Sequence, residues 1–289
     1  MGCALAIDIG GTKLAAGLVA ASGTVLDHAE VPTHGADAEA LFAVLLDVVA
    51  QVRSGDEEVC GVGTGGPMAP GGERVSPLNI PAWRDFPLRR RLAEATGLPT
   101  FVDNDAKALA LGEGWVGAAA GVDDYVAMVV STGVGGGIVS GGRLLDGASG
   151  NAGHIGHVVV RPDGNRCSCG GQGCLEAEAS GTAIRRVTGR DARQAGPEVV
   201  RHVGTMVGRG VASSANLLDL RLAVVAGSVA LGFGAPFFAA AQGELDRLAR
   251  LEFSRGARVV PAGLGPSSPL VGAGAVGWRG IGHDVAGRR

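Results

Sequence analysis

Residues 4–19, ALAIDIGGTKLAAGLV, and residues 125–140, YVAMVVSTGVGGGIVS, carry one pattern twice. In each copy an apolar run reaches a turn of glycine and threonine, and a second apolar run follows. The first copy has Ala4–Ile9 and Leu14–Val19 around Gly10-Gly11-Thr12-Lys13. The second has Tyr125–Val130 and Ile138–Ser140 around Ser131 to Gly137, which includes Thr132, Gly133, Gly135 and Gly136. Short apolar runs bounded by glycine read as strands joined by tight turns. A repeated strand–turn–strand unit points to two related domains. Consecutive backbone N–H groups in such a turn form an anion-binding concavity, and glycine lets an oxygen approach closely. The pair therefore reads as two phosphate cradles offered to one ligand, or as plain hairpin turns. Neither turn is a Walker sequence or a GxGxxG, which disfavours a P-loop or a Rossmann fold.

Outward from the first copy, Thr24–Val31 reads as a strand. Glu39–Arg53 has apolar residues at 41, 44, 45, 48, 49 and 52, the period of a helix with one buried face. Cys60–Gly66 is a strand entering a Gly-Gly-Pro turn, and a loop rich in proline and glycine runs to Trp83. Pro87 opens a basic helix that Gly97 closes. Thr100–Val102 is a brief strand before Asp103-Asn104-Asp105, and Ala106–Trp115 continues as a helix. Beyond the second copy come a strand at Arg143–Leu145 and helices at Ser180–Val187, Pro197–Leu218 and Pro236–Leu251. Strands at Leu222–Ala226 and near Arg258–Pro261 precede a Gly/Ala-rich tail that receives no element. Strands alternating with helices make an α/β protein. The expected domains are 1–104, joined by the tail at about 271–289, and 105–270, with a cleft between them.

At 289 residues the chain can hold two separate cores. With 46% hydrophobic and 18% charged residues it belongs with globular chains and not disordered ones. A net charge of -3 argues against nucleic acid as a partner. No apolar run has the length of a membrane span and no secretory signal opens the chain, so a cytoplasmic protein is expected. Lys13 and Lys107 stand alone among many arginines; that reads as genome composition without functional weight.

Gly150–Glu176, GNAGHIGHVVVRPDGNRCSCGGQGCLE, concentrates Cys167, Cys169 and Cys174 downstream of His154 and His157. One imidazole, His157, and three thiolates are the ligands of a closed tetrahedral zinc site. The intervening glycines allow ligands so close in sequence to converge. A disulfide is the alternative; it would leave one cysteine over in a chain without a secretory signal. His154 and Glu176 add polar groups on a rigid knuckle, a place to grip a small polar ligand.

Asp105 ends a strand and begins a helix, where α/β folds place ligands. It is a helix N-cap or, since Asp103 and Asn104 can cap instead, a general base for a hydroxyl. Asp8, two residues before the first turn's Gly10, is placed to hold Mg2+ through water.

With these residues in view the chain resembles the ROK family of sugar kinases, within the superfamily sharing the actin and hexokinase (ribonuclease H-like) fold. The resemblance rests on AIDIGGTK, GTGGP, SPLNIPAW, FVDNDAKALALGE, STGVGGGIVSGG, GNAGHIGH, the CxCGxxGCxE knuckle and VVAGSV, in this order and nearly end to end. It implies that Asp105 takes the proton from a hexose hydroxyl, expected at O6, as that oxygen attacks the γ-phosphorus of ATP. Asn79, Asn104, His157 and Glu176 would line the sugar, and His154 stands where many members have glutamate. An imidazole there also occurs in similar N-acetylmannosamine kinases and actinobacterial glucokinases, so His154 selects the sugar or is a bystander beside the zinc. Gly10 to Lys13 and Thr132 to Gly136 would hold phosphates, with Gly227-Ser228 near the adenosine. The resemblance further implies a homodimer or homotetramer. Glucose comes first as substrate and N-acetylmannosamine second, with a polyphosphate donor left open. Two other classes are a ROK transcriptional repressor, which needs a winged-helix domain before Ala4 and finds no room for one, and a non-catalytic sugar sensor, which needs no base.

Overall fold

The computed structural model describes residues 2–285. Met1 and residues 286–289, which the sequence reading gave to the first domain and its tail, lie outside the described residues. In chain order the elements are β1 (Cys3–Ile9), β2 (Lys13–Ala20), β3 (Val25–Pro32), α1 (Ala38–Val52), β4 (Glu57–Thr64), α2 (Leu88–Thr96), β5 (Thr100–Asn104) and α3 (Asp105–Val116). They continue with β6 (Tyr125–Val130), β7 (Val134–Ser140), β8 (Arg143–Leu144), α4 (Leu175–Ala179), α5 (Gly181–Thr188) and α6 (Pro197–Leu218). The last are β9 (Leu222–Ala226), α7 (Ser228–Phe233), α8 (Ala235–Leu248), β10 (Arg258–Pro261) and α9 (Ser268–Gly280). None of the described helices is long and apolar enough to cross a membrane.

The chain divides into two compact units. One runs to Gly121 and takes in Asp146–Ala152 and the chain from Leu264; the other holds Val122–Leu145 and Gly153–Gly263. Each has a five-stranded sheet, ordered β3-β2-β1-β4-β5 and β8-β7-β6-β9-β10. In both, the first two pairings are antiparallel and the last two parallel. The repeat visible at two turns is thus a repeat of whole sheets. β1 and β6, central in each, are near-continuous apolar runs because both faces are covered. Leu5, Ile7 and Ile9 of β1 pack with Leu45 and Val48 of α1, and Ala6 packs with Leu270 and Ala273 of α9. In the second unit Val126, Met128 and Val130 join Val207 of α6 and Phe237 of α8.

Three expectations are corrected. The second turn is only Ser131–Gly133: Gly135 and Gly136 belong to β7, opposite Val129 and Met128. A glycine run is a turn signal, but here it makes room. A Cβ on Gly136 would come within 2.9 Å of Ile155 Cγ2, so the histidine-bearing segment lies directly on the strand. The Gly/Ala tail is largely helix α9, whose small residues permit backbone-to-backbone packing: a Cβ on Gly272 would stand 2.7 Å from the Ala108 carbonyl oxygen of α3. For the same reason α3 falls in the first unit, which extends to Gly121 and not 104, and resumes at Leu264 and not 271. Glu113 of α3 also accepts the Leu264 N–H at 3.2 Å.

Candidate active site

In the first unit β1, β4 and β5 are parallel and their carboxyl ends are in register. Asp8 pairs with Gly63 and Gly63 with Asp103; Ile9 pairs with Thr64 and Thr64 with Asn104. Open α/β sheets bind ligands outside such ends. Asn104 Oδ1 accepts the Ala106 N–H at 3.0 Å, so Asn104 is the cap of α3. Asp105 Oδ1 accepts the same N–H at 2.8 Å, and the residue remains exposed. Gly63 supplies no side chain beside the two aspartates: a Cβ on it would lie 3.8 Å from both Asp8 Oδ1 and Asp105 Cα. Burial and then the charge of Asp105 push the Asp8 carboxyl up to about 7, against the pull of Lys13. Two carboxylates so placed fit a divalent cation such as Mg2+, which would relieve their mutual repulsion.

The first turn is braced from behind. Thr33 donates its hydroxyl to the Gly10 carbonyl at 2.7 Å and its N–H to that of Thr12 at 3.0 Å. Asn79 lies over Gly11, where a Cβ would come within 2.8 Å of its Cβ and Nδ2. The Asn79 loop is held by Trp83, stacked on Phe86 at 4.6 Å, and by Arg84 Nη1, which donates to the carbonyls of Pro77, Ile80 and Trp83. Lys13 is set apart from the turn: it opens β2 and its ammonium bonds Glu30 at 2.7 Å.

In the second unit the turn Ser131–Gly133 is pinned by α5, whose Gly181 and Thr182 amides donate to the carbonyls of Ser131 and Thr132. Gly227 adopts φ +99 immediately before α7, against the Val130 carbonyl, where no Cβ fits. A cavity of about 480 Å³ opens beside these elements, lined by Thr132, Thr182, Arg185, Asp191, Ser228 and Phe233 among others. Its size and its position at a glycine turn suit a nucleotide.

His157 and the three cysteines of the knuckle gather their ligand atoms within 4.8 Å of one another. Cys169 and Cys174 Sγ stand 3.8 Å apart, and His157 Nδ1 is 3.7 Å from Cys167 Sγ. Tetrahedral zinc with Zn–S bonds of about 2.3 Å separates two thiolates by about 3.8 Å. The cysteines are free, so the disulfide reading falls. His157 turns Nδ1 to the thiols, which leaves Nε2 on the other side of its ring. His154 is exposed, its ring centroid 6.0 Å from that of His157. Glu176 Oε2 accepts the Val134 N–H at 2.9 Å, and a Cβ on Gly133 would come 2.8 Å from it. Glu176 thereby joins the knuckle to the second glycine turn.

The family model that matches the chain covers residues 4–277 and is that of the ROK family. The chain belongs to the ROK family. An N-acetylmannosamine kinase of Escherichia fergusonii is 38% identical over 246 residues, 80% of this chain and 84% of its own. A ROK hexokinase from Thermus thermophilus superposes with a TM-score of 0.86 at 35% identity, covering 97% of this chain and 100% of that one. A ROK glucokinase from Streptomyces griseus, solved with glucose and AMPPNP, gives 0.82 at 32% identity, over 96% and 100%.

Beside the ROK motif residues stand several that the sequence reading passed over. Lys107, given no weight, is buried with its ammonium 2.7 Å from Asp146, 3.1 Å from Asp103 and 3.2 Å from the Gly150 carbonyl. Burial raises Asp103; on Asp146 burial acts the same way, but the Lys107 hydrogen bond and charge outweigh it and hold that carboxyl low. Asp146 lies 39 positions along the chain from Lys107, so no local spacing announces the pair. Arg185 and Asp191, bonded at 3.0 Å at the rim of the cavity, were equally silent, because only the fold brings α5 to the second turn.

Proposed function

We propose that the chain is an ATP-dependent sugar kinase, with Asp105 as the general base for a hexose hydroxyl and glucose as its first substrate. The observation that carries this reading is Asp105, exposed at the start of α3 with Asp8 across Gly63, in a member of a family whose relatives are named as kinases. Asp105 receives the hydroxyl proton as the oxygen attacks the γ-phosphorus, while its Oδ1 keeps the Ala106 N–H and so its orientation. Asn79 and Asn104 bond sugar hydroxyls, as do Glu176 and the Nε2 of His157; the amides of Gly11, Thr12, Thr132 and Gly133 receive phosphate oxygens, those of Gly10 and Ser131 being spent on the Lys13 and Gly133 carbonyls that close the two turns. Asp8 would hold Mg2+, which would supply charge neutralisation at the phosphates; phosphoryl transfer otherwise needs mainly positioning. His157, Cys167, Cys169 and Cys174 would hold zinc, which would fix the knuckle that carries His157 and Glu176. The cavity beside Gly227-Ser228 takes the adenosine.

N-acetylmannosamine is the second reading of the substrate. It is favoured by His154 in place of glutamate and by the N-acetylmannosamine kinase relative. An imidazole can donate or accept, so it changes what is recognised at the sugar's C1 and C2. The deciding experiment measures ADP release with Mg-ATP over glucose, mannose, fructose, allose, N-acetylglucosamine and N-acetylmannosamine, with Asp105→Asn alongside. Turnover on one sugar is expected, falling at least about a thousandfold in the variant while sugar binding persists. Near-normal turnover in Asp105→Asn removes it as the base. Silence on every sugar turns the reading toward another phosphoryl donor or a sensor.

A further inference from the structure

Helix α5 serves the cavity at the second glycine turn from both of its ends. At its start the Gly181 N–H donates to the Ser131 carbonyl at 2.7 Å, and Thr182 gives both its N–H and its hydroxyl to the Thr132 carbonyl. Arg185 follows Thr182 by three positions, on the same side of the helix, and both line the cavity. Arg185 Nη2 donates to Asp191 Oδ2 at 3.0 Å. Asp191 Oδ1 accepts the Arg193 N–H at 3.1 Å and so caps the 3₁₀ turn Ala192–Gln194. One carboxylate thus joins the helix that pins the glycine turn to a second segment that lines the cavity with Ala192, Arg193 and Ala195.

That segment has little else to fix it. It runs between Gly189 and Gly196, and none of the residues in its 3₁₀ turn is buried. Ala192 rests half-buried against the core, while Arg190, Arg193 and Gln194 are exposed. An exposed ion pair such as Arg185–Asp191 adds little to global stability. Its effect falls on local order: without it a short stretch between two glycines regains conformational freedom. A ligand that rests on the stretch must then restore that order as it binds.

We propose that Arg185 and Asp191 are a positioning pair for the nucleoside of the phosphoryl donor. They hold residues 192–195 at the cavity, so that the base meets an ordered wall. The proposal rests on the reading of this cavity as the adenosine site. Calorimetry with Mg-ADP, beside steady-state kinetics on the sugar that is turned over, tests it. Asp191→Ala and Arg185→Ala should each weaken ADP and raise the KM for ATP at least about fivefold, with kcat and the KM for sugar within about twofold of the parent. The double variant should lose no more than either single one, because the two residues act as a unit. Asp191→Asn keeps an oxygen for the guanidinium and for the Arg193 N–H, and should bind ADP within about twofold of the parent. Urea unfolding of parent and variants should coincide, since the pair is exposed. Unchanged ADP affinity in the two alanine variants, losses that multiply in the double variant, or an Asp191→Asn as weak as Asp191→Ala overturns the proposal. So does a fall in kcat and sugar affinity in step with that for ADP. A parent protein that binds no ADP overturns the adenosine reading of the cavity itself, and the proposal with it.

Discussion

Asp8 keeps its proton to about pH 7 because it is partly buried and Asp105 stands close. An ordinary aspartate loses its proton near pH 4. Between that point and about 7 the folded chain holds a proton that the unfolded chain has released, so stability falls as the pH rises through this window. The distance between the two values sets a ceiling of about 4 kcal/mol. Without Mg2+, Asp8→Asn should therefore flatten the decline and be more stable than the parent at about pH 8, by about 1–3 kcal/mol. Urea unfolding of both proteins across this range checks it; parallel curves would show that Asp8 ionises normally. Lys107 is the opposite case, a buried cation between two carboxylates. Lys107→Met leaves Asp103 largely enclosed without its partner and should cost about 2–4 kcal/mol. A loss below about 0.5 kcal/mol in urea unfolding would mean that the three groups are independently solvated.

At the scale of elements, what could be read in advance followed from local chemistry. β1, β2 and β6 are apolar runs bounded by glycine, and Gly97 closes α2 as expected, doing so in the left-handed conformation. β7 and α9 were misjudged for one shared reason. Their glycines and alanines are chosen by a neighbour that must come close, Ile155 on one and the Ala108 carbonyl on the other, and no local propensity records such a neighbour. The knuckle was legible because its cysteines are close in sequence and metal ligation dictates their kind. The loops between its ligands are glycine-rich, and little apolar packing surrounds the thiols beyond Ala177. Metal binding to such a segment is coupled to its folding. Cys169→Ser should thus lose bound zinc and thermal stability together, and a chelator should reproduce the effect in the parent protein. Metal analysis beside melting curves decides: full stability and turnover in zinc-free protein would dissolve the assignment.

At the scale of the whole molecule the two sheets repeat strand for strand, yet the chain does not treat its halves alike. It leaves the first unit at Gly121, comes back for Asp146–Ala152, and returns finally at Leu264 to lay α9 on that unit. α9 supplies Leu270 and Ala273 to the face of β1 opposite α1, and Trp278 donates its indole N–H to the Val19 carbonyl at 3.1 Å. It also meets α3, the helix that begins with Asp105. The first sheet is therefore covered by a helix far along the chain from it, and the candidate base rests on a helix packed against that one. Gly272→Val tests this dependence, since even a Cβ at that position meets the α3 backbone at 2.7 Å. Backbone cannot yield as a flexible side chain does, so the substitution should destabilise by about 1–3 kcal/mol or more through overpacking. If α3 is displaced as α9 moves off, sugar turnover should fall in the variant although residue 272 is no part of the proposed chemistry. Urea unfolding paired with the ADP-release assay separates the two effects. A stable variant with full turnover would show that α9 need not approach α3 so closely, while lost stability with unchanged turnover would confine its role to holding the first unit together.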